Sequence, residues 1–255
     1  MLPVVILVVI ILLFFGASLL PRLGRTLGER ARKPYRQARW MWAWASGTEE
    51  EAIRAETEYG RECAREFSAQ FSGAGSEDDR KLVAGIGARL AAAVNDPRRA
   101  FRFEVVAHSR ANAFALPGGF VYMTKALLDL CGRDRDEIAF FLGHEIGHVV
   151  CGHARDKVAA GAILNAVASR LGGIGRMIHE LLAKGYSRTL ELDADREAVR
   201  LAASAGFDSA AAIRALRRLA ETSPDNKGLG EYFSTHPALD DRIKELADMQ
   251  NKRPR

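Results

Sequence analysis

Hydrophobic and polar positions change period several times along the 255 residues, and each change predicts an element. Residues 2–20 are apolar without a charged side chain, close to the roughly 20 residues that a hydrocarbon core demands, and predict a transmembrane helix over 1–21. A cleaved signal peptide is the competing reading, but Met1-Leu2-Pro3 carries no basic side chain and Phe15-Gly16-Ala17-Ser18 is a poor cleavage match. Helical spacing returns from Thr48 to Phe71, with Thr48 as cap and Glu49, Glu50 and Glu51 in the first turn, where acids suit the helix dipole. A second helix is expected from Glu77 to Val94, with Leu82, Val83, Ile86 and Leu90 at core spacing and Asn95-Asp96-Pro97 as its stop. Both read as packing elements, or as a cover over a cleft.

The period then drops to two. Phe101 to Val106 alternates as a strand, Ala113 to Leu116 is a second, and Phe120 to Met123 a third after the break at Pro117-Gly118-Gly119. Thr124 to Leu130 predicts a short helix, and Asp134 to Glu137 the cap of a buried one through Ile138, Ala139, Phe140, Phe141, Leu142, Val149 and Val150. Residues 159–182 are rich in small side chains, yet Asn165, Arg170, Arg176, His179 and Glu180 make a second membrane span costly, so a mobile flap is expected there. Further helices are expected from Ser187 to about Ala205, from Ser209 to Thr222 with Arg214, Arg217 and Arg218 as a solvated face, and from Ala238 to Met249. The pattern amounts to an α+β, mainly helical domain over 48–250, with a small sheet against the buried helix. A juxtamembrane segment over 22–47 precedes it and a short tail, 251–255, follows.

Charge refines this picture. The formal net charge of +5 is local, because Arg22, Arg25, Arg30, Arg32, Lys33, Arg36 and Arg39 stand in one run opposed only by Glu29. No basic patch interleaved with aromatics lies in the domain, so a nucleic-acid partner is not expected. The basic flank favours a cytoplasmic domain by the positive-inside rule, with membrane lipid met by residues 2–20 and that flank. Trp40, Trp42 and Trp44 suit either a membrane interface or packing onto the domain. Cys63, Cys131 and Cys151 are odd in number and not paired by spacing, which fits a reducing compartment, and Cys151 reads as a core residue.

The candidate chemistry lies on the buried helix. Gly143-His144-Glu145-Ile146-Gly147-His148 carries HExxH, and residues four apart are separated by about 400°, so His144 and His148 can grip one metal ion from one face. Glu145 is then close enough to reach a water without binding the metal, which is the geometry of a zinc hydrolase. Downstream, Glu191 and Asp195 are four apart on one helical face; one can close a site of two histidines and a carboxylate, the other can hold a ligand imidazole from behind. Spacing does not choose between them. The three-histidine pattern HExxHxxGxxH is excluded, since Cys151 and Ala154 stand where its glycine and third histidine belong. Helix phase turns His153 away from the metal, and His179 reads as a surface or helix histidine.

Four blocks, Asn112-Ala113-Phe114-Ala115-Leu116-Pro117-Gly118-Gly119, GHEIGHVVCGH, ELDADREA from Glu191, and Ser234-Thr235-His236-Pro237 with Arg242, resemble the HtpX-like zinc metalloendopeptidases, metallopeptidase family 48. That family includes the CAAX prenyl proteases, the Oma-type enzymes and the BepA and LoiP types. The resemblance covers about residues 80 to 250. It implies a zincin-type domain with one Zn2+ per chain, Glu191 as third ligand, Asp195 behind a ligand histidine, and endoproteolysis with Glu145 as general base. It further implies that Asn112 to Leu116, with Gly118 and Gly119 at the edge, receive substrate as an added strand; without it, the two glycines read as a tight turn. His236 would serve as oxyanion donor or as a latch on the metal, and Arg242 would orient its loop or stabilise charge. Misfolded or membrane-associated proteins are the implied substrates, and a periplasmic or other non-cytoplasmic domain is the alternative location. A membrane-anchored binding or chaperone module with a structural zinc is the alternative function; a carboxylate beside an open metal position argues against it.

Overall fold

Three short strands and a helix buried on all sides set the frame for everything else. The computed structural model describes residues 48–70, 75–157, 185–221 and 236–251. The expected transmembrane helix, basic run and tryptophans, the segment with His179, and Ser234-Thr235 lie outside the described residues. Among the described residues no helix is long and apolar enough to cross a membrane.

The chain divides into two compact units, Met1–Tyr59 and Gly60–Arg255, a division that falls in the sequence of helix α1, Glu49–Gln70. In the first, Thr48 starts α1 with a capping box: its amide donates to Glu51 Oε2 at 2.8 Å and its Oγ1 accepts from the Glu51 amide at 3.3 Å.

In the second unit, α2, Glu77–Val94, has a capping box at Ser76 and Asp79 and ends where Asn95 turns left-handed. Strands β1, Arg102–Val106, β2, Ala113–Leu116, and β3, Phe120–Thr124, form a sheet of order β1-β3-β2. β1 runs parallel to β3, and β2 pairs antiparallel with β3 in the register Ala113 to Met123 and Leu116 to Phe120. Among the described residues β2 is therefore an edge strand. Gly118 and Gly119 both have positive φ and form the turn of the β2–β3 hairpin, and a Cβ on Gly119 would meet the Ala100 carbonyl oxygen. The tight-turn reading accounts for both glycines.

Helix α3, Lys125–Leu130, is capped by Thr124, and α4, Arg135–Val150, by Asp134, whose Oδ1 accepts from the amides of Asp136 and Glu137 at 2.9 and 3.0 Å. Every residue from Glu137 to Val149 is buried. A helix that must be covered all round needs neighbours on each side, and α4 has them: β2 and β3, α2, α5, Arg188–Ser204, and α6, Ala211–Glu221. Its tightest neighbour is α5. A Cβ on Gly147 would lie 2.8 Å from the Ala194 carbonyl oxygen, and one on Gly143 3.2 Å from the Ala198 Cα. Two glycines four apart thus face two alanines four apart, and the backbones close to a distance that larger side chains would forbid. This crossing sets Glu191 and Asp195 of α5 opposite His144 and His148 of α4.

Arg218 of α6 is exposed, like Arg214 and Arg217, and its Nε and Nη2 also donate to the buried Glu137 carboxylate at 2.9 and 3.0 Å and so tie α6 to α4. One expectation needs correction. Cys151 is exposed, since it caps α4 just past the last covered turn. Helix α7, Leu239–Asn251, packs on α5 and α6, and Arg196–Glu245 at 2.7 Å and Arg188–Asp241 at 2.8 Å add exposed ion pairs to α5. Such pairs contribute little, roughly 0–1 kcal/mol each.

Candidate metal centre

Helical phase puts His144 and His148 on one side of α4, with their Nε2 atoms 3.1 Å apart. Across from them Glu191 Oε2 is 3.4 Å from His144 Nε2, and Glu191 Oε1 is 3.4 Å from His148 Nε2. His236, just before α7, brings Nδ1 to 3.3 Å from His144 Nε2 and 3.2 Å from Glu191 Oε1. These four ligand atoms lie within 4.8 Å of one another, and all four residues are buried. Zinc–nitrogen and zinc–oxygen bonds of about 2.0–2.1 Å in a tetrahedron set neighbouring donors roughly 3.3–3.4 Å apart. The observed 3.1–3.4 Å contacts fit that edge length. Glu191 Oε2 accepts no aligned hydrogen bond although the residue is fully buried, which is costly without a further partner. Three imidazoles and a carboxylate suit zinc.

A second ring of contacts holds this one. Asp195 Oδ1 accepts from His144 Nδ1 at 2.8 Å, which leaves Nε2 of that ring as the free lone pair. Arg242, fully buried on the first turn of α7, donates from Nε and Nη2 to Asp195 at 2.7 Å each and sets Nη1 3.0 Å from Glu191 Oε2. Its contacts thus include both carboxylates behind the cluster and, at 3.3 Å from Nη2, the His144 Nδ1. Glu145, next to His144 on α4, has Oε1 3.5 Å from His236 Nε2 and without a hydrogen-bond partner.

Glu191 and Asp195 share one guanidinium, so the metal-free cluster favours an additional positive charge. Burial and the Arg242 charge push the His144 imidazole down, but Asp195 and Glu191 outweigh them and raise it to about 9. Burial holds His148 well below its ordinary value, with the neighbouring His144 charge acting the same way. Burial alone would raise Glu191; His236, His144 and His148 hold it far below the usual carboxylate range.

The edge strand reaches the same place. His236 Nε2 is 3.4 Å from the Ala113 carbonyl oxygen, and Asn112 is fixed to β3 by reciprocal 2.9 Å bonds with Thr124. Phe114 turns its ring into an aromatic cluster, stacked on Tyr122 and edge-on to Phe67, and Ala115 and Leu116 are buried. The backbone of β2 thus faces the cluster at Ala113, while its side chains serve the core.

Two residues next to the centre escaped the sequence reading. His153 is buried with its Nδ1 3.1 Å from His148 Nδ1, and Tyr186 stacks on the His148 ring at 3.8 Å and 17°. Lys157 Nζ lies 4.1 Å from the Tyr186 ring centroid. The signal for His153 was Cys151-Gly152: α4 stops there, Gly152 adopts φ +79°, and a new helical stretch over 153–157 breaks the phase that had turned His153 away.

Comparison with known families matches residues 77–250 to Peptidase family M48 and residues 2–41 to the mttA/Hcf106 family. Among individual proteins, the putative beta-barrel assembly-enhancing protease of Vibrio cholerae is 30% identical over 68% of this chain and 40% of its own length. The mitochondrial metalloendopeptidase OMA1 of Arabidopsis thaliana is 34% identical over 53% of this chain and 29% of its length. The beta-barrel assembly-enhancing protease of Escherichia coli is 27% identical over 68% of this chain and 38% of its length. The chain spans less than half the length of these relatives. Since residues 77–250 enclose both helices that face each other across the cluster, the edge strand and the loop carrying His236, the chain belongs to peptidase family M48.

Proposed function

We propose that this chain is a zinc-dependent metalloendopeptidase. The observation that carries the reading is the convergence of His144, His148 and Glu191 beside a buried Glu145 whose Oε1 has no hydrogen-bond partner. His144, His148 and Glu191 would hold the zinc, which when bound supplies a Lewis acid able to polarise a carbonyl and acidify a water. Glu145 takes a proton from the attacking water and returns it to the leaving amine. Asp195 keeps His144 in the tautomer that presents Nε2, and Arg242 holds the Asp195 and Glu191 carboxylates in place. A peptide adds as a strand along Asn112, Ala113, Phe114, Ala115 and Leu116, a position supported by β2 being an edge strand, with Gly118 and Gly119 keeping the adjoining turn free of side chains.

A second feature of the site supports a latch. His236 puts Nδ1 at the fourth corner of the cluster and Nε2 on the Ala113 carbonyl oxygen, so one imidazole stands where both water and substrate backbone would go. Peptide entry displaces it, and the resting chain is latent.

Residues 2–20 act as a single-pass membrane anchor, supported by their apolar composition and by a family match at 2–41 separate from the peptidase region. The seven basic residues that follow place the domain on the cytoplasmic side, beside misfolded or membrane-associated proteins as substrates. The kinship with beta-barrel assembly-enhancing proteases supports a role in protein quality control.

The test compares casein cleavage by wild type and Glu145→Gln, with zinc content measured in both. Loss of at least ~10²-fold in rate with zinc retained is expected, and equal rates would end the enzyme reading. Alkaline phosphatase fused to the C-terminus should be inactive, and activity there would reverse the topology.

A further inference from the structure

The two histidines of the HExxH helix are supported from behind in different ways. His144 gives its Nδ1 proton to Asp195, a carboxylate locked by Arg242. Among the described residues His148 finds no carboxylate at its Nδ1; the atom there is Nδ1 of another histidine, His153, at 3.1 Å. We propose that His153 is the positioning residue of His148, accepting the Nδ1 proton and thereby holding the His148 Nε2 lone pair toward the cluster. This rests on the reading of that cluster as a zinc centre.

The geometry carries the assignment in three steps. First, His148 Nε2 points at His144 Nε2 and Glu191 Oε1, so a ligand role at Nε2 requires the proton on Nδ1. Second, that proton needs an acceptor in a buried place, and His153 Nδ1 is at hydrogen-bond distance, so His153 must be neutral and carry its own proton on Nε2. Third, the ring cannot easily turn away, because Tyr186 stacks on it at 3.8 Å and 17°. The left-handed Gly152 is what makes this possible, since it ends the helix and returns the chain so that a residue five positions on faces back. Partners of ligand histidines at this remove typically change metal affinity by roughly 10- to 100-fold when removed.

The experiment uses the full chain and two variants. His153→Asn keeps an acceptor near the Nδ1 position, whereas His153→Leu fills the space without one. Zinc affinity is measured by competition with a chelating dye, the visible absorption of the cobalt-substituted protein is recorded, and folding is checked by circular dichroism. The Leu variant should bind zinc roughly 10- to 100-fold more weakly with a shifted cobalt spectrum, while the Asn variant stays within about 3-fold of wild type. Equal affinities and spectra for Leu and wild type would overturn the assignment, as would an Asn variant that loses as much as Leu, because the role would then be packing alone. Were the Leu variant to unfold, the imidazole ¹⁵N shifts of zinc-loaded wild type decide: His153 protonated on Nε2 supports the inference, and protonated on Nδ1 overturns it. A wild type that binds no zinc sinks the metal centre itself, and zinc binding without proteolysis sinks only the peptidase reading.

Discussion

Arg242 grips Asp195 through two contacts of 2.7 Å, and neither residue is more than 1% exposed. The remaining guanidinium nitrogen stands 3.0 Å from Glu191, so a single cation is shared by two carboxylates of α5. Arg242→Met should therefore lower the stability of the metal-free chain by roughly 3–5 kcal/mol, the usual result of leaving buried charge unpaired. Arg242→Lys should rescue little, since a point charge cannot reproduce the planar fork. Urea denaturation of the three proteins measures this, and coincident midpoints would mean the carboxylates are neutralised otherwise.

His236→Ala should raise basal proteolysis, because it frees the fourth corner of the cluster and the Ala113 carbonyl oxygen together. A fall of roughly 10²-fold in kcat with unchanged zinc content would instead assign His236 as an oxyanion donor. Unaltered rate and zinc affinity would leave it a loop residue. Steady-state kinetics on a fluorogenic peptide, beside a zinc titration, separates the three results.

Gly147→Ala should destabilise by roughly 1–3 kcal/mol, since its new methyl group would lie 2.8 Å from the Ala194 carbonyl oxygen and force α4 and α5 apart. Gly85→Ala is the contrasting change: among the described residues nothing beyond the helix's own backbone and chain neighbours lies within 4 Å of that methyl on α2, and a gain of up to ~1 kcal/mol is expected. Thermal melts that rank the two variants the other way would contradict the close crossing.

Asp79 predicts part of the acid response. The Arg133 guanidinium, at 2.8 Å, holds its carboxyl below the ordinary value, against a smaller opposing effect of burial. A carboxyl whose folded value is depressed adds stability above its ordinary value of 3.8, and that contribution is lost as pH falls through the lower folded value. Wild type should accordingly lose more stability between pH 7 and pH 3 than Asp79→Asn does, as read from denaturation midpoints. Parallel losses would show that the pair does not couple to folding.

Short-range periodicity made α4, α5 and the hairpin legible, because one helix turn or one strand pair decides which face is apolar. The HExxH spacing likewise marked two imidazoles on one side of α4. What lay beyond the sequence were relations between distant segments. Glu191 and Asp195 are equivalent by spacing, and only the depth at which α5 crosses α4 turns one toward both Nε2 atoms and the other toward His144 Nδ1. The glycines of GHEIGH carry that crossing, yet a glycine inside a helical pattern reads as a mere weakness until its neighbour is known. That the exposed Arg218 reaches Glu137 was equally illegible, because the two are 81 residues apart. His153 stays out of the ligand cluster as expected, but its contact to His148 was not legible, because helix phase says nothing past a glycine that ends the helix.

The order in which the chain is made acquires a meaning from Arg242. Its contacts to Asp195 and His144 bridge 47 and 98 residues, and it sits on the last described helix. A nascent chain that has formed α4 and α5 but not α7 holds Glu191 and Asp195 without the cation that lets them share a dry interior. Docking of α7 supplies the buried cation that both carboxylates face in the finished fold. The cluster of four ligand-type residues is therefore whole only once the segment carrying His236 and Arg242 has joined the two earlier helices.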